Sequence, residues 1–452
     1  MKSENMLTGN PGKSLVLFAL PMILGNLFQQ FYNMIDSIVV GRYVGEDALA
    51  AVGASYSFTT VFIMIAIGGG IGVSVITSQF LGAGNYSKMK TSIYTSLITF
   101  LVLSVVLAIA GFFVNPHVLS LLKTPDNIRD DAVLYLQIYF AGLPFLFMYN
   151  ILSSTFNALG KSKIPLGLLL FSSVLNVVLD LVTVCIFGWG VAGVAIATVF
   201  AQGVSAVAAF IILMRYLKKF KVEEEAEVKL FDRQMLWNST KIAIPSIVQQ
   251  SIVSIGLLLV QSAVNSFGSS VLAGYTAASR VESICIVPMI AVGNAVSTYT
   301  AQNLGAGQAD RVKRGYRASF GMIISFAVLI CLILNFFSNP IISLFLDGPQ
   351  RGQAFETGST YLSFIGWFVI LLGCKAVTDG VLRGAGDVKV YMISNLVNLG
   401  IRVFVANYFA LRVGVQAVWY AEPLGWTMNF IISFGWYLTG RWSKRELIKE
   451  VE

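Results

Sequence analysis

Apolar runs of 20 or more residues recur along the whole chain, and they restrict its fold more than any other feature. A helix needs about 20 residues to cross the hydrocarbon core of a bilayer. Twelve such runs are predicted, at 14–40, 52–80, 93–114, 132–155, 164–187, 190–214, 240–266, 271–303, 316–338, 358–380, 388–411 and 414–438. They are continuous, unlike the alternating segments of about ten residues that mark a membrane β-barrel. Backbone surrounded by lipid must satisfy its own hydrogen bonds, so continuous apolar runs are expected as helices. The expected fold class is an all-α polytopic membrane protein with 12 transmembrane helices. The first run is too long for a cleavable signal peptide and follows a polar start, Met1 to Lys13.

Charge supports this reading and sets an orientation. Only 12% of residues are charged, against roughly 25% in soluble domains, and mean hydropathy is +0.75. A soluble enzyme and a disordered chain are both excluded. With the N-terminus placed in the cytoplasm, 23 Lys and Arg fall on the inside and 5 (Arg42, Lys123, Arg129, Arg351, Arg412) on the outside. That asymmetry places both termini in the cytoplasm. It also accounts for the net charge of +8, which faces anionic lipid, so no nucleic-acid partner is expected. Cys185, Cys285, Cys331 and Cys374 sit inside apolar runs and read as buried small apolar residues, not as disulfide partners or metal ligands.

The chain is duplicated. The longest polar stretch, Arg215 to Lys241, divides the runs six and six. SVITSQFLGAG (74–84) aligns with STYTAQNLGAG (297–307) at an offset of 223, so Gln79, Gly82 and Gly84 fall on Gln302, Gly305 and Gly307. Pro21 has a counterpart in Pro245, and FNALGKSK (156–163) a weaker one in LRGAGDVK (382–389). The expected organisation is a cytoplasmic N-terminus (1–13), an N-lobe (14–214), a cytoplasmic linker (215–239), a C-lobe (240–438) and a cytoplasmic tail (439–452). An even number of spans per copy gives both lobes the same sense across the membrane, the geometry of an alternating-access transporter.

Five carboxylates lie inside the runs: Asp36, Asp180, Glu282, Asp379 and Glu422. Each costs roughly 2.5–3.5 kcal/mol on insertion scales, so each needs a reason. Gln29, Tyr32, Asn33 and Asp36 are spaced at three or four and share one helix face. Asn176 and Asp180 are four apart, and Thr198 and Gln202 share a face with Val194. Oxygen ligands of this kind suit a hard cation such as Na⁺, whereas two carboxylates brought together can share a proton. Both readings stay open. In the second half the run SNLVNLGIRVFVAN carries Asn398 and Arg402 but no acid. Lys375 and Asp379, four apart, can neutralise one another, and Glu422 can pair with Arg402. Arg280 and Glu282 are two apart and do not face each other. GGGIG (68–72) permits close helix approach. No phosphate-binding Walker pattern, HExxH or GxSxG is present, so neither ATP drive nor a hydrolase is expected.

Taken together and in order, LPMILGNLFQQFYNMIDSIVVGRYVGEDALAAVGAS (20–55), the repeated Q-x-L-G-A-G, YLQIYFAGLPF (135–145), ALGKSKIP (158–165), LNVVLD (175–180) and GVAGVAIATV (190–199) resemble the multidrug and toxic compound extrusion (MATE) family of prokaryotic type. The resemblance covers roughly residues 8–440. It implies two pseudo-symmetric six-helix lobes in a V around a central cavity. It also implies a secondary antiporter that exports organic, cationic or amphipathic compounds across the plasma membrane in exchange for Na⁺ or H⁺. In prokaryotic relatives a cation site in the first lobe uses positions that match Asp36, Asn176, Asp180 and Thr198 here. Gln29, Tyr32, Asn33, Gln202 and Glu282 are expected along the substrate cavity. A second-lobe site used by another branch matches Glu282 but lacks its acidic partner near Gly373. No cofactor is expected beyond the coupling ion. Small organic molecules and the lipid bilayer are the expected partners, the protein a monomer, and its location a bacterial inner membrane. A lipid-linked saccharide flippase is the alternative transporter, and a membrane-embedded enzyme a third class.

Overall fold

The computed structural model describes residues 6–122, 124–222, 227–346 and 352–444. Several sequence assignments fall outside them: the topology signals of Lys2, Lys123 and Arg351, the acids Glu223 to Glu225 in the linker, and the tail basics Arg445 and Lys449. Fourteen α-helices and no strands are found among the described residues. They are α1 (Pro11–Val39), α2 (Glu46–Gly82), α3 (Tyr86–Leu121), α4 (Asp126–Ala158), α5 (Lys163–Leu181), α6 (Gly190–Leu217), α7 (Arg233–Asn265), α8 (Ser269–Cys285), α9 (Val287–Gly305), α10 (Ala309–Ile342), α11 (Gln353–Gly384), α12 (Val388–Phe404), the short α13 (Ala410–Val413) and α14 (Gln416–Leu438). Ten helical segments are long and apolar enough to cross a membrane, with α8 and α9 acting as one. Two predicted spans, those of α7 and α14, are not among the ten. α7 includes side chains outside the described set, and α14 dilutes its apolar residues with Glu422, Pro423, Thr427 and Asn429. Large apolar side chains such as Phe113, Ile186 and Phe336 are exposed along the helices, as lipid contact requires.

The duplication is visible in how helices end. After α2, the Asn85 N–H donates to the Phe80 carbonyl (3.1 Å), and after α9 the Gln308 N–H donates to Asn303 (2.7 Å). Both close a six-residue C-cap in which Gly84 (φ 73°) and Gly307 (φ 71°) take the left-handed conformation that a side chain resists. The weaker motif does the same: Lys161 donates to Phe156, and Asp387 to Leu382, each at 2.8 Å. α5 and α12 also correspond, since each runs into a π-helical turn, Val182–Ile186 and Val405–Phe409.

The chain divides into two compact units. One runs from Leu24 to Ile247; the other joins the segment ending at Ile23 to the segment beginning at Val248. Both divisions fall two residues beyond a helical proline, Pro21 in α1 and Pro245 in α7. Proline removes a backbone donor and clashes with the preceding turn, so helix continuity is weakest there. In the Leu24–Ile247 unit, the start of α7 packs closely on α2. A Cβ on Gly68 would sit 2.7 Å from Ile247 backbone, and one on Gly72 2.7 Å from the Ser239 carbonyl. The connecting strand of chain is pinned to α3, with Lys229 N donating to Thr91 Oγ1 (3.1 Å) and Asp232 N to Thr95 Oγ1 (3.0 Å). In the other unit, Leu15, Phe18 and Ala19 of α1 join the core formed by α8–α12 and α14. Arg311 holds the segment before α1 through the carbonyls of Met6 (3.1 Å), Thr8 (2.8 Å) and Gly9 (2.8 Å).

The cysteines correct one expectation. Cys185 is exposed and the other three are half-buried, all with free thiols. An apolar run in a membrane helix presents faces to lipid as well as to the core, so an apolar context does not itself imply burial.

Candidate cation site

Within the Leu24–Ile247 unit, α1, α5 and α6 bring five polar side chains together. Asn176 and Asp180, one turn apart on α5, are fully buried. With its amide oriented to match donors to acceptors, Asn176 Nδ2 donates to Tyr32 Oη (2.9 Å) and Asp180 Oδ2 (3.1 Å). Its Oδ1 accepts from the Thr198 N–H (3.1 Å) and hydroxyl (3.3 Å). The Tyr32 hydroxyl also reaches Thr198. Asp36, one turn beyond Tyr32 on α1, comes within hydrogen-bonding reach of Asp180. Ionised carboxylates only accept hydrogen bonds, so this approach needs a proton or a cation between them. Asp36 Oδ1 and Asp180 Oδ1 are both buried without a partner. A buried acceptor left open costs about 1–3 kcal/mol, and more when charged, so the site is built to receive something.

The surroundings are apolar. Val40, Ala48, Val184, Val191 and Val194 form a buried cluster with Tyr135 packed at its edge. Val40 and Val184 sit in the π-helical turns that follow α1 and α5, just beyond the two acids. Such turns widen a helix and are frequent at functional sites. Tyr135, from the quoted run YLQIYFAGLPF, is a neighbour of both acids that spacing arguments did not single out. Its position on α4 carried no sequence link to α1 or α5.

The other expected residues are placed differently. Gln29 and Asn33 bond each other (3.1 Å) on α1, and Asn33 is exposed. Gln202 is half-buried one turn along α6 from Thr198. Glu282 lies in the other unit, buried on α8, where its Oε2 accepts from Tyr361 Oη (2.8 Å). The Arg402 guanidinium pairs with the Glu422 carboxylate, and Glu422 is also within hydrogen-bonding reach of Glu282. Lys375 pairs with Asp379 (3.3 Å), whose two oxygens also accept from Asn395 (3.1 Å) and Ser433 (2.9 Å). Arg280 is exposed and makes no pair with Glu282.

Two duplicated helical units with apolar spans and buried polar clusters define a multi-pass membrane transporter rather than an enzyme. The MatE family profile matches residues 21–182 and 245–409, one block in each half, and the chain belongs to this family of multidrug efflux transporters. It is 31% identical over 459 residues to YpnP of Bacillus subtilis (strain 168), described as a probable multidrug resistance protein, covering all of both chains. It is 28% identical to YoeA of the same organism, covering 97% of this chain and 96% of that one. Among solved structures, a MOP superfamily transporter from Pyrococcus furiosus matches with a TM-score of 0.90 at 22% identity, over 98% of each chain.

Proposed function

We propose that the protein is a secondary antiporter that exports organic, cationic or amphipathic compounds in exchange for Na⁺ or H⁺, with Asp36, Asn176, Asp180 and Thr198 binding the coupling ion. One observation carries the reading: two carboxyl groups in mutual reach, each with an unpartnered oxygen, beside the Asn176 amide and the Tyr32 and Thr198 hydroxyls. Carboxylate and hydroxyl oxygens suit a hard monovalent cation, joined by the Asn176 amide oxygen once that amide turns inward, and the carboxyl pair suits a proton, so either ion can occupy the site and the two would compete. Tyr32 belongs to this set through its bonds to Asn176 and Thr198.

The ion can drive transport only if the site differs between the two access states. Asp36 and Tyr32 ride on α1 and the remaining groups on α5 and α6. Movement of α1 about Pro21 would open or close the set. Gln29, Asn33 and Gln202 extend the same helix faces and are the proposed contacts for the organic substrate. The intended setting is a bacterial inner membrane with both termini in the cytoplasm, as the placement of basic residues supports.

The test is efflux of a dye panel from proteoliposomes, with Na⁺ and pH gradients imposed separately. Asp36→Asn and Asp180→Asn should each abolish gradient-driven transport. Intact coupled efflux in either variant overturns the site assignment.

A further inference from the structure

The Ile23-terminated and Val248-initiated unit contains a second buried polar cluster that also brings two carboxyl groups together. Two carboxyl groups, Glu282 on α8 and Glu422 on α14, lie within hydrogen-bonding reach. The Tyr361 hydroxyl on α11 bonds Glu282 (2.8 Å). Asn398 and Arg402 stand four apart on α12, as Asn176 and Asp180 do on α5, and both helices run into a π-helical turn. α14 is closely apposed here: a Cβ on Gly425 would lie 2.3 Å from Asn398 Oδ1 and 2.8 Å from Arg402 Cγ. All four charged or amide side chains are more than nine-tenths buried, and Asn398 Oδ1 has no partner.

Each cluster therefore contains two acids, one tyrosine and one asparagine, although only Asn398 and Arg402 stand at helix positions that match Asn176 and Asp180. The fifth member is a hydroxyl, Thr198, in one unit and a guanidinium, Arg402, in the other. At the α12 position corresponding to Asp180 stands a guanidinium, paired with Glu422. With one proton shared by the two glutamates the cluster is neutral and needs no metal ion from solution. The remaining ionisable neighbours are Tyr275 and Cys285, both on α8.

We infer that Arg402 is a tethered cation serving a second carboxyl pair, and that its removal opens a Na⁺ site formed by Glu282, Glu422, Tyr361 and Asn398. The inference rests on the reading of Asp36 and Asp180 as the exchangeable site. In its light each unit balances a carboxyl pair with a cation, and in the second unit that cation is part of the chain. A guanidinium cannot lose its charge in a protein and cannot leave, so the second unit keeps that positive charge throughout the transport cycle.

The test is equilibrium binding of ²²Na⁺ to the purified full-length transporter in detergent, with choline holding ionic strength constant. Asp36→Asn alone should bind no Na⁺. Asp36→Asn combined with Arg402→Gln should bind one Na⁺ per chain, lost again on adding Glu422→Gln. Free guanidinium should displace that Na⁺, an effect that mere loosening of the fold would not produce. A folded Asp36→Asn/Arg402→Gln protein that binds no Na⁺ overturns the inference. Should that variant not fold, the native sequence still decides. Glu282→Gln in an otherwise unchanged chain should leave Na⁺ stoichiometry as it was, and a drop would show that the second unit already exchanges its cation. If Asp36→Asn binds Na⁺ as the unmodified chain does while Glu282→Gln has no effect, the coupling-site reading fails. The gain on Arg402→Gln then supports or overturns the tethered cation by itself.

Discussion

Asp36 and Asp180 enter from different helices, α1 and α5, and their carboxyl groups meet within hydrogen-bonding reach. Neither can donate to the other when both are ionised, so the contact needs a proton or a cation between them. Asn176 is the hub of the site, touching Tyr32, Asp180 and Thr198 at once.

Asn176→Ala should weaken coupling-ion binding more than Thr198→Val does. The first removes an oxygen and unbinds three partners; the second removes one hydroxyl and leaves the Thr198 N–H contact to the Asn176 side chain. A typical hydrogen bond contributes about 1 kcal/mol, so Thr198→Val should cost roughly fivefold in ion affinity and Asn176→Ala more than tenfold. Ion titration of transport rate in proteoliposomes reads both. Equal effects would show that Asn176 is not the hub.

Asp379 is expected to be structural. It accepts from Lys375, Asn395 and Ser433, so its oxygens are already engaged. Asp379→Asn leaves a buried ammonium uncompensated, at a cost of about 3–5 kcal/mol. Thermal melting in detergent should fall clearly. Protein that remains folded should keep its coupling-ion dependence, and loss of coupling at unchanged stability would contradict this role.

The glycines of GGGIG set the distance between α2 and the start of α7. Gly68→Ala and Gly72→Ala each place a methyl about 2.7 Å from backbone atoms that cannot swing away. Overpacking of this kind costs about 1–3 kcal/mol. Both variants should melt earlier than the parent, whereas Gly167→Ala, where a Cβ meets nothing within 4 Å, should not.

Arg311 anchors the chain ahead of α1 through three carbonyls, and Asn303 adds a fourth contact at Met6 (3.2 Å). Hydrogen bonds to a charged donor contribute about 1.5–3 kcal/mol each in partly buried settings. Arg311→Ala should free this segment locally. Amide hydrogen exchange over residues 6–19 should accelerate by at least about tenfold, with α5 and α6 unaffected. Uniform acceleration across the chain would point to global destabilisation instead.

The sequence by itself determined the membrane character, the duplication and the set of acids that had to have partners. Those follow from local physics: run length against bilayer thickness, an offset between repeats, and the cost of a carboxylate in hydrocarbon. Helical spacing also put Asn176 with Asp180, and Lys375 with Asp379, because residues four apart share a face whatever the fold. Only the tertiary structure decided which acid met which. Tyr135 on α4, Tyr361 on α11 and the closeness of Glu282 to Glu422 join helices whose separation in sequence encodes no distance. The unit boundaries were hidden for a related reason. Packing carries the start of α7 with the Leu24–Ile247 unit and the start of α1 with the other, a grouping that the polarity of the 215–241 stretch does not encode. Polarity marks where a chain leaves the membrane; shape complementarity, as at Gly68 and Gly72, determines which body a helix belongs to.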